Sequence, residues 1–150
     1  MSAPRHLPKR AAAYAIKAGI DDPDAVSWTF AAQKTMYGGK LIREGDPIFV
    51  FSDEGTIGLI AKGIVAHAEA TPRRQGVERQ TPRVSITVNR IAGTTRRLGR
   101  IELTPYNDWN DGRPETELNF KCYRQATGKI VGLSHEAAEF LSTFFQPDPD

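Results

Sequence analysis

Apolar and polar positions change period several times along this chain, and each change marks an element. Ala25 to Ala31 alternates, with Trp28 and Phe30 on one face, as a half-buried first strand does. Gly45-Asp46 is a turn signal, and Ile48-Phe49-Val50-Phe51 is apolar on both faces. Ser52 to Gly55 gives a second turn, after which Ile57 to Ala68 reads as a long strand punctuated by Gly58 and Gly63. Glycine within a strand permits bulges, corners and close backbone approach. An aromatic strand paired with a glycine-punctuated one therefore points to a small closed barrel, and away from a Rossmann or helical enzyme.

The alternation resumes downstream. Arg83 to Asn89 turns Val84, Ile86 and Val88 inward, and Leu98 to Thr104 is a short candidate strand. Leu118, Phe120 and Cys122 alternate with Asn119, Lys121 and Tyr123, which predicts another strand, and Gly128 turns the chain into Lys129–Leu133. Helices are predicted at the two ends. Residues 8–18 form an Ala-rich run with Pro8 in its first turn and Gly19 at its end. Its thin apolar face (Ala11, Tyr14, Ala15, Ala18) suits the surface or a partner subunit. Ser134 caps a final helix with Glu136 in its first turn and a buried stripe of Ala137, Ala138, Leu141, Phe144 and Phe145. Residues 33–44 are ambiguous, broken by Gly38-Gly39, while 70–82 and 105–114 read as polar loops. The expected organisation is one domain: a helical arm over 1–21, a barrel core over 24–146 and a frayed tail over 147–150. The fold class is α+β, a mixed, mainly antiparallel β-barrel of five or six strands with peripheral helices.

At 150 residues and a net charge of +2, the chain is ordinary in size and charge, yet its charge is unevenly placed. Between 73 and 100 stand Arg73, Arg74, Arg79, Arg83, Arg90, Arg96, Arg97 and Arg100 against Glu78 alone. Guanidinium forks suit phosphate, so this stretch reads either as a solvated arginine-rich face or as a backbone-contacting stripe beside a groove. No apolar run approaches the roughly 20 residues that span a bilayer. The run before Lys17 is too short for a signal sequence, and the single Cys122 makes no intrachain disulfide, so a reducing cytoplasm is the expected location. His6, His67 and His135 lie far apart without ligand spacing, and Gly38-Gly39-Lys40 lacks the rest of a phosphate-binding loop, so neither a metal nor a nucleotide triphosphate is expected. A pairing of Cys122 with His67 or His135 stays open.

The order of elements resembles the PUA-like superfamily, and within it the EVE domain, a relative of the YTH readers of methylated RNA. Four places carry the resemblance. Ser27-Trp28-Thr29-Phe30 looks like the family's tryptophan-bearing first strand, and Glu44 to Ser52 like its Gly-Asp turn and aromatic strand. Gly58 to Val65 is similar to the small-residue strand that follows. Tyr123-Arg124-Gln125, Val131 to Ser134 and Phe140-Leu141 resemble its closing strand and helix. One segment departs: EVE domains carry an Arg-Asn-Tyr-like helical stretch where this chain has Gln33 to Gly39, a stretch that in the family helps to form the pocket.

The resemblance implies a non-catalytic nucleic-acid-binding module with no cofactor, taking an extruded or single-stranded modified base of RNA or DNA into an aromatic pocket. Trp28, Tyr37, Ser52, Trp109 and Arg124 are the expected ligand-binding residues. Arg73, Arg74, Arg79, Arg96 and Arg97 are the expected contacts to the nucleic-acid backbone. The alternatives are a small nucleic-acid-processing enzyme and a small-molecule or protein-interaction module.

Overall fold

The computed structural model describes residues 11–71, 83–124 and 128–145. Six strands close into one barrel: β1 (Ala13–Ala18), β2 (Ser27–Met36), β3 (Pro47–Ser52), β4 (Gly58–Ala70), β5 (Arg83–Gly93) and β6 (Lys129–Leu133), in the spatial order β1-β3-β4-β5-β2-β6. The ladders β3–β4, β4–β5, β5–β2 and β6–β1 are antiparallel, while β1–β3 and β2–β6 run parallel. The mixed, mainly antiparallel barrel expected from the alternation is the architecture observed. No helix among the described residues is long and apolar enough to cross a membrane.

Two apolar clusters divide the interior. One draws Tyr14, Ile16, Trp28, Phe30, Ile48, Val50, Val65, Ile86, Val88 and Ile130 from all six strands and fills the barrel. The other takes the opposite faces of β1 and β3 (Ala13, Ala15, Phe49, Phe51) and packs them against the helical flank through Leu103, Leu118, Cys122, Ala137, Leu141 and Phe144. This is why Ile48–Phe51 is apolar on both faces. The glycine punctuation also has a cause: a Cβ at Gly63 would lie 2.5 Å from Val88 Cγ1, and the β4–β5 register shifts beside it.

The flank comprises α1 (Arg100–Leu103), α2 (Pro114–Asn119, continued by a wider turn over Phe120–Arg124) and α3 (His135–Ser142). Ser134 caps α3 as expected, its Oγ accepting from the Ala137 N–H at 3.2 Å.

Three expectations are corrected. The described part of the predicted N-terminal helix is strand β1, buried and paired on both sides. Alanine favours helix, but here small side chains let β1 sit between two packed layers. Leu98–Thr104 turns as α1 rather than extending. Residues 118–122 are helical, because Leu118 and Cys122 share a helical face at i, i+4 and Pro114 with Glu115 and Glu117 form a favourable first turn. The predicted tail over 147–150 and most of the 70–82 loop lie outside the described residues.

Candidate functional site

A short polar segment before α2 sets an aromatic wall. Asp108 Oδ1 accepts from the Asn110 N–H at 3.1 Å and opens a single turn over Trp109–Asp111, which Gly112 closes in the left-handed region. Asp111 then ties this turn to the helix, accepting from the Arg113 N–H at 2.9 Å and the Thr116 hydroxyl at 2.8 Å. Those hydrogen bonds, led by the one from Arg113, hold its carboxyl below the usual range. Trp109 is thereby presented edge-on to Phe120, 5.0 Å between ring centres, and 6.3 Å from Tyr37. Tyr37 follows β2 at φ +53°, a left-handed conformation unusual for a tyrosine, with its carbonyl accepting from the Gly132 N–H at 3.2 Å.

Beside the Tyr37 and Trp109 rings opens a cavity of about 320 Å³ lined by Tyr37, Trp109, Gly112, Arg113, Thr116, Glu117 and Lys121. Two of its charged groups, Lys121 and Glu117, are braced. Lys121 Nζ donates to Glu117 Oε2 at 2.9 Å and to the Gly132 carbonyl at 2.8 Å, and lies 4.8 Å from the Tyr37 ring centre. Glu117 accepts in addition from the Ser134 N–H at 2.8 Å and, through a short contact, from the Ser134 hydroxyl. Burial pushes the Glu117 carboxyl up, but the hydrogen bonds from Ser134 and Lys121 outweigh it, so the group titrates below its ordinary value. The slot is thus aromatic at its sides and ionic where α2 faces β6.

A second cavity, of about 360 Å³, is lined by Arg100, Thr104, Asn107, Asn119, Tyr123 and Arg124. Phe120 touches a residue of each cavity, Trp109 of the first against its ring and the Arg124 guanidinium of the second 4.9 Å from its centre. Lys17 comes from β1, buried, with Nζ 4.3 Å from the Tyr123 ring centre, and the Arg100 guanidinium lies 5.8 Å from that centre. Burial lowers the Lys17 pKa; the nearby Arg100 adds to this, while Cys122 and Asp53 oppose it. Desolvation likewise raises the Tyr123 hydroxyl well above its ordinary value.

The structure splits the set of residues singled out in the sequence. Tyr37 and Trp109 meet. Arg124 contacts the same Phe120 ring but lines the second cavity. Trp28 is 9% exposed inside the barrel, with its indole N–H donated to the Asp22 carbonyl at 3.0 Å, so it does not join the Tyr37–Trp109 slot. Ser52 is buried at the end of β3 opposite Ala18, its Oγ accepting from the Glu54 N–H at 3.2 Å, and it lines neither cavity. Arg96 donates to the Thr143 carbonyl and hydroxyl at 3.1 and 2.9 Å and lies over Phe144. Arg97 donates to the Thr56 carbonyl at 2.6 Å and pairs with Glu102 at 3.5 Å. Arg73, Arg74 and Arg79 lie outside the described residues.

Lys17, Glu117, Phe120 and Lys121 do not stand out in the sequence as site residues, whereas Arg100 belongs to the arginine stretch read there as a backbone-contacting stripe. Glu117 and Lys121 carry a signal, the i, i+4 acid–base spacing of a helix, which is visible only once 114–124 is read as helical. Cys122 is buried and its thiol is pushed up to about 12 by desolvation, so it stays protonated at neutral pH. His67 and His135 are paired elsewhere, with Glu69 at 3.7 Å and Glu139 at 3.1 Å. Among the described residues no group of three or more His, Cys, Asp or Glu side chains is arranged to hold a metal ion.

No family model matches the chain, and no curated protein matches it. Solved structures do. Human THYN1 in complex with 5-methylcytosine-containing DNA superimposes with a TM-score of 0.63 at 13% identity, over 91% of this chain and 98% of that one. The DUF55 domain of human thymocyte nuclear protein 1 gives 0.61 at 14% identity, over 87% and 96%. A mutant of ZmASCH from Zymomonas mobilis gives 0.54 at 8% identity, over 90% and 99%. At such identities the likeness is one of fold: this chain shares the barrel architecture of these proteins.

Proposed function

We propose that the chain is a nucleic-acid-binding module that draws one unpaired, modified base into the slot lined by Tyr37 and Trp109. The observation that carries this reading is the slot itself: two aromatic side chains flanking a cavity of about 320 Å³, with a braced lysine at its lining. That volume lies at the small end of the roughly 300–1,000 Å³ usual for small-molecule sites, as suits a single base. Stacking on aromatic faces contributes about 1–3 kcal/mol per base and tolerates any base. An edge contact must then supply discrimination. An ammonium has three donors, and Lys121 spends two on Glu117 and Gly132, which leaves one for a ligand acceptor such as a ring nitrogen or carbonyl oxygen. The likeness in fold to THYN1, solved with 5-methylcytosine-containing DNA, supports a base of this kind.

Base-binding roles therefore go to Tyr37, Trp109 and Lys121, with Trp28 and Ser52 assigned to the barrel and Arg124 to the neighbouring cavity. Arg73, Arg74 and Arg79 keep their proposed role along the nucleic-acid backbone. The test is a titration of short single-stranded and duplex oligonucleotides, with cytosine or 5-methylcytosine at one position, followed by tryptophan emission and by anisotropy. Binding that quenches or shifts emission in the parent, and is weakened in Tyr37→Ala and Trp109→Ala, is the expected result. Folded variants that bind the whole panel as well as the parent does would remove the slot from the binding site. Oligonucleotide recovered intact after incubation with magnesium is expected of a reader; fragments would favour a processing enzyme.

A further inference from the structure

The second cavity has a composition of its own. Its lining holds two arginines, two asparagines, a threonine and a tyrosine, and no carboxylate. Among the described residues neither Arg100 nor Arg124 forms an ion pair, whereas Arg97, at the same end of α1, is paired with Glu102. Both guanidinium groups rest on aromatic faces, Arg100 near Tyr123 and Arg124 near Phe120, which fixes their planes while leaving their N–H forks unspent on carboxylates. Lys17 adds a third positive charge from β1, against the same Tyr123 ring.

The acids nearby are engaged or offset. Glu102 accepts from the Gly99 N–H at 2.7 Å and pairs with Arg97, and Glu117 is held by Ser134 and Lys121. Asp53 is the carboxylate whose field reaches Lys17. Three cations gathered around one carboxylate-free cavity repel each other, and an anion placed there relieves that repulsion.

We propose that this cavity is a phosphate subsite, bound by Arg100 and Arg124 in the field of Lys17, that holds a backbone phosphate flanking the base in the Tyr37–Trp109 slot. The assignment rests on the base-reading proposal for its ligand, but the anion site is testable without it. Phe120 is the shared neighbour: Trp109 of the slot and Arg124 of the phosphate fork both contact its ring, so a nucleotide that reaches from one cavity to the other passes beside it.

Two measurements test the proposal. First, inorganic phosphate is titrated into the ¹⁵N-labelled full chain while the arginine Nε–Hε resonances are followed by NMR. Saturable shifts at Arg100 and Arg124, with Arg43 unmoved, are expected. Absent shifts, or equal and non-saturating shifts at every arginine, overturn the site. Second, a single neutral methylphosphonate is placed at the linkage beside the bound base. It should weaken binding by the parent and leave the Arg100→Gln/Arg124→Gln variant no weaker than it already is. The salt slope of that variant should be shallower by about 0.7 for each single-strand phosphate that it no longer neutralises.

Both arginines are exposed, so the double variant should keep the parent's melting temperature, which verifies that it folds. If Tyr37→Ala and Trp109→Ala lose binding while the arginine variant retains both affinity and slope, the phosphate site falls and the base reading stands. If phosphate saturates at Arg100 and Arg124 but no oligonucleotide binds, the anion site stands and the base reading falls.

Discussion

The two tryptophans of this chain sit in regions built to opposite rules. Trp28 projects from β2 into the barrel, 9% exposed, and its one polar atom is satisfied by the Asp22 carbonyl. Everything that side chain offers is spent on folding. Trp109 stands 47% exposed in a polar turn, held by backbone caps at Asp108 and Asp111 rather than by burial, with Tyr37 and Phe120 as neighbours. A large apolar surface left half in water on a fixed turn retains free energy that a stacking ligand can use. The barrel face around Trp28 is therefore architecture, and the helical flank around Trp109 is where recognition is proposed.

The sharpest way to break this contrast is to truncate both tryptophans and measure stability by urea unfolding. Trp28→Ala should cost about 3–5 kcal/mol, the range for removing a buried large aromatic. Trp109→Ala should cost at most about 1.5 kcal/mol, the scale of its ring–ring contacts. Binding should respond in the reverse order, with Trp109→Ala losing about 1–3 kcal/mol of oligonucleotide affinity. Equal losses of stability would dissolve the distinction between the two regions.

A smaller effect is expected where the flank meets β6. Glu117 links α2 to Ser134 and to Lys121, so Glu117→Gln should destabilise by about 1.5–3 kcal/mol, the range for hydrogen bonds to a charged group. The pH dependence follows from the sign of its shift. Its folded pKa lies below the ordinary value of 4.5, so its contribution is complete above the unfolded pKa and fades as pH falls through the folded one. The stability gap between parent and Glu117→Gln should be widest near neutrality and should narrow below about pH 4.5. A gap that is constant from pH 7 to pH 3 would mean that the carboxylate charge contributes nothing there.

The same contrast explains what can be read from the sequence. Strands β2 and β5 announce themselves because a strand with one buried face alternates. Strands β3 and β6 do so because turn signals bound their short apolar runs, and β4 because glycines mark where it bends against β5 and the flank. Strand β1 is hidden: Ala13-Tyr14-Ala15-Ile16 is buried on both faces, so it shows no alternation, and its alanines imitate a helix. The helix over 114–124 is hidden by coincidence, since Leu118, Phe120 and Cys122 satisfy a period of two while Leu118 and Cys122 also satisfy i, i+4. The site inherits both ambiguities. Tyr37 and Trp109 are legible as residue types in segments without a clear period. Lys17 is not, because an alanine-rich run places it on a surface helix, and neither are Glu117 and Lys121, because their pairing exists only on a helix.

The smallest effect is expected at the arginines that stand out most in the sequence. Arg96 and Arg97 belong to the densest basic stretch, but their guanidinium groups already donate to the carbonyls of Thr143 and Thr56, and Arg97 also pairs with Glu102. Both pairs of partners are largely exposed, so each alanine substitution should change stability by no more than about 1 kcal/mol. Committed donors also make poorer phosphate ligands, since a phosphate must first displace the carbonyl each one holds. Arg96→Ala/Arg97→Ala should therefore flatten the salt dependence of oligonucleotide binding less than Arg100→Gln/Arg124→Gln does, and by less than the roughly 0.7 per single-strand phosphate expected of full engagement. Anisotropy titrations of the two double variants between low and moderate salt decide the matter. A flatter slope for the 96/97 variant would move the backbone track from the flank around Trp109 to the face that joins α1 to Phe144.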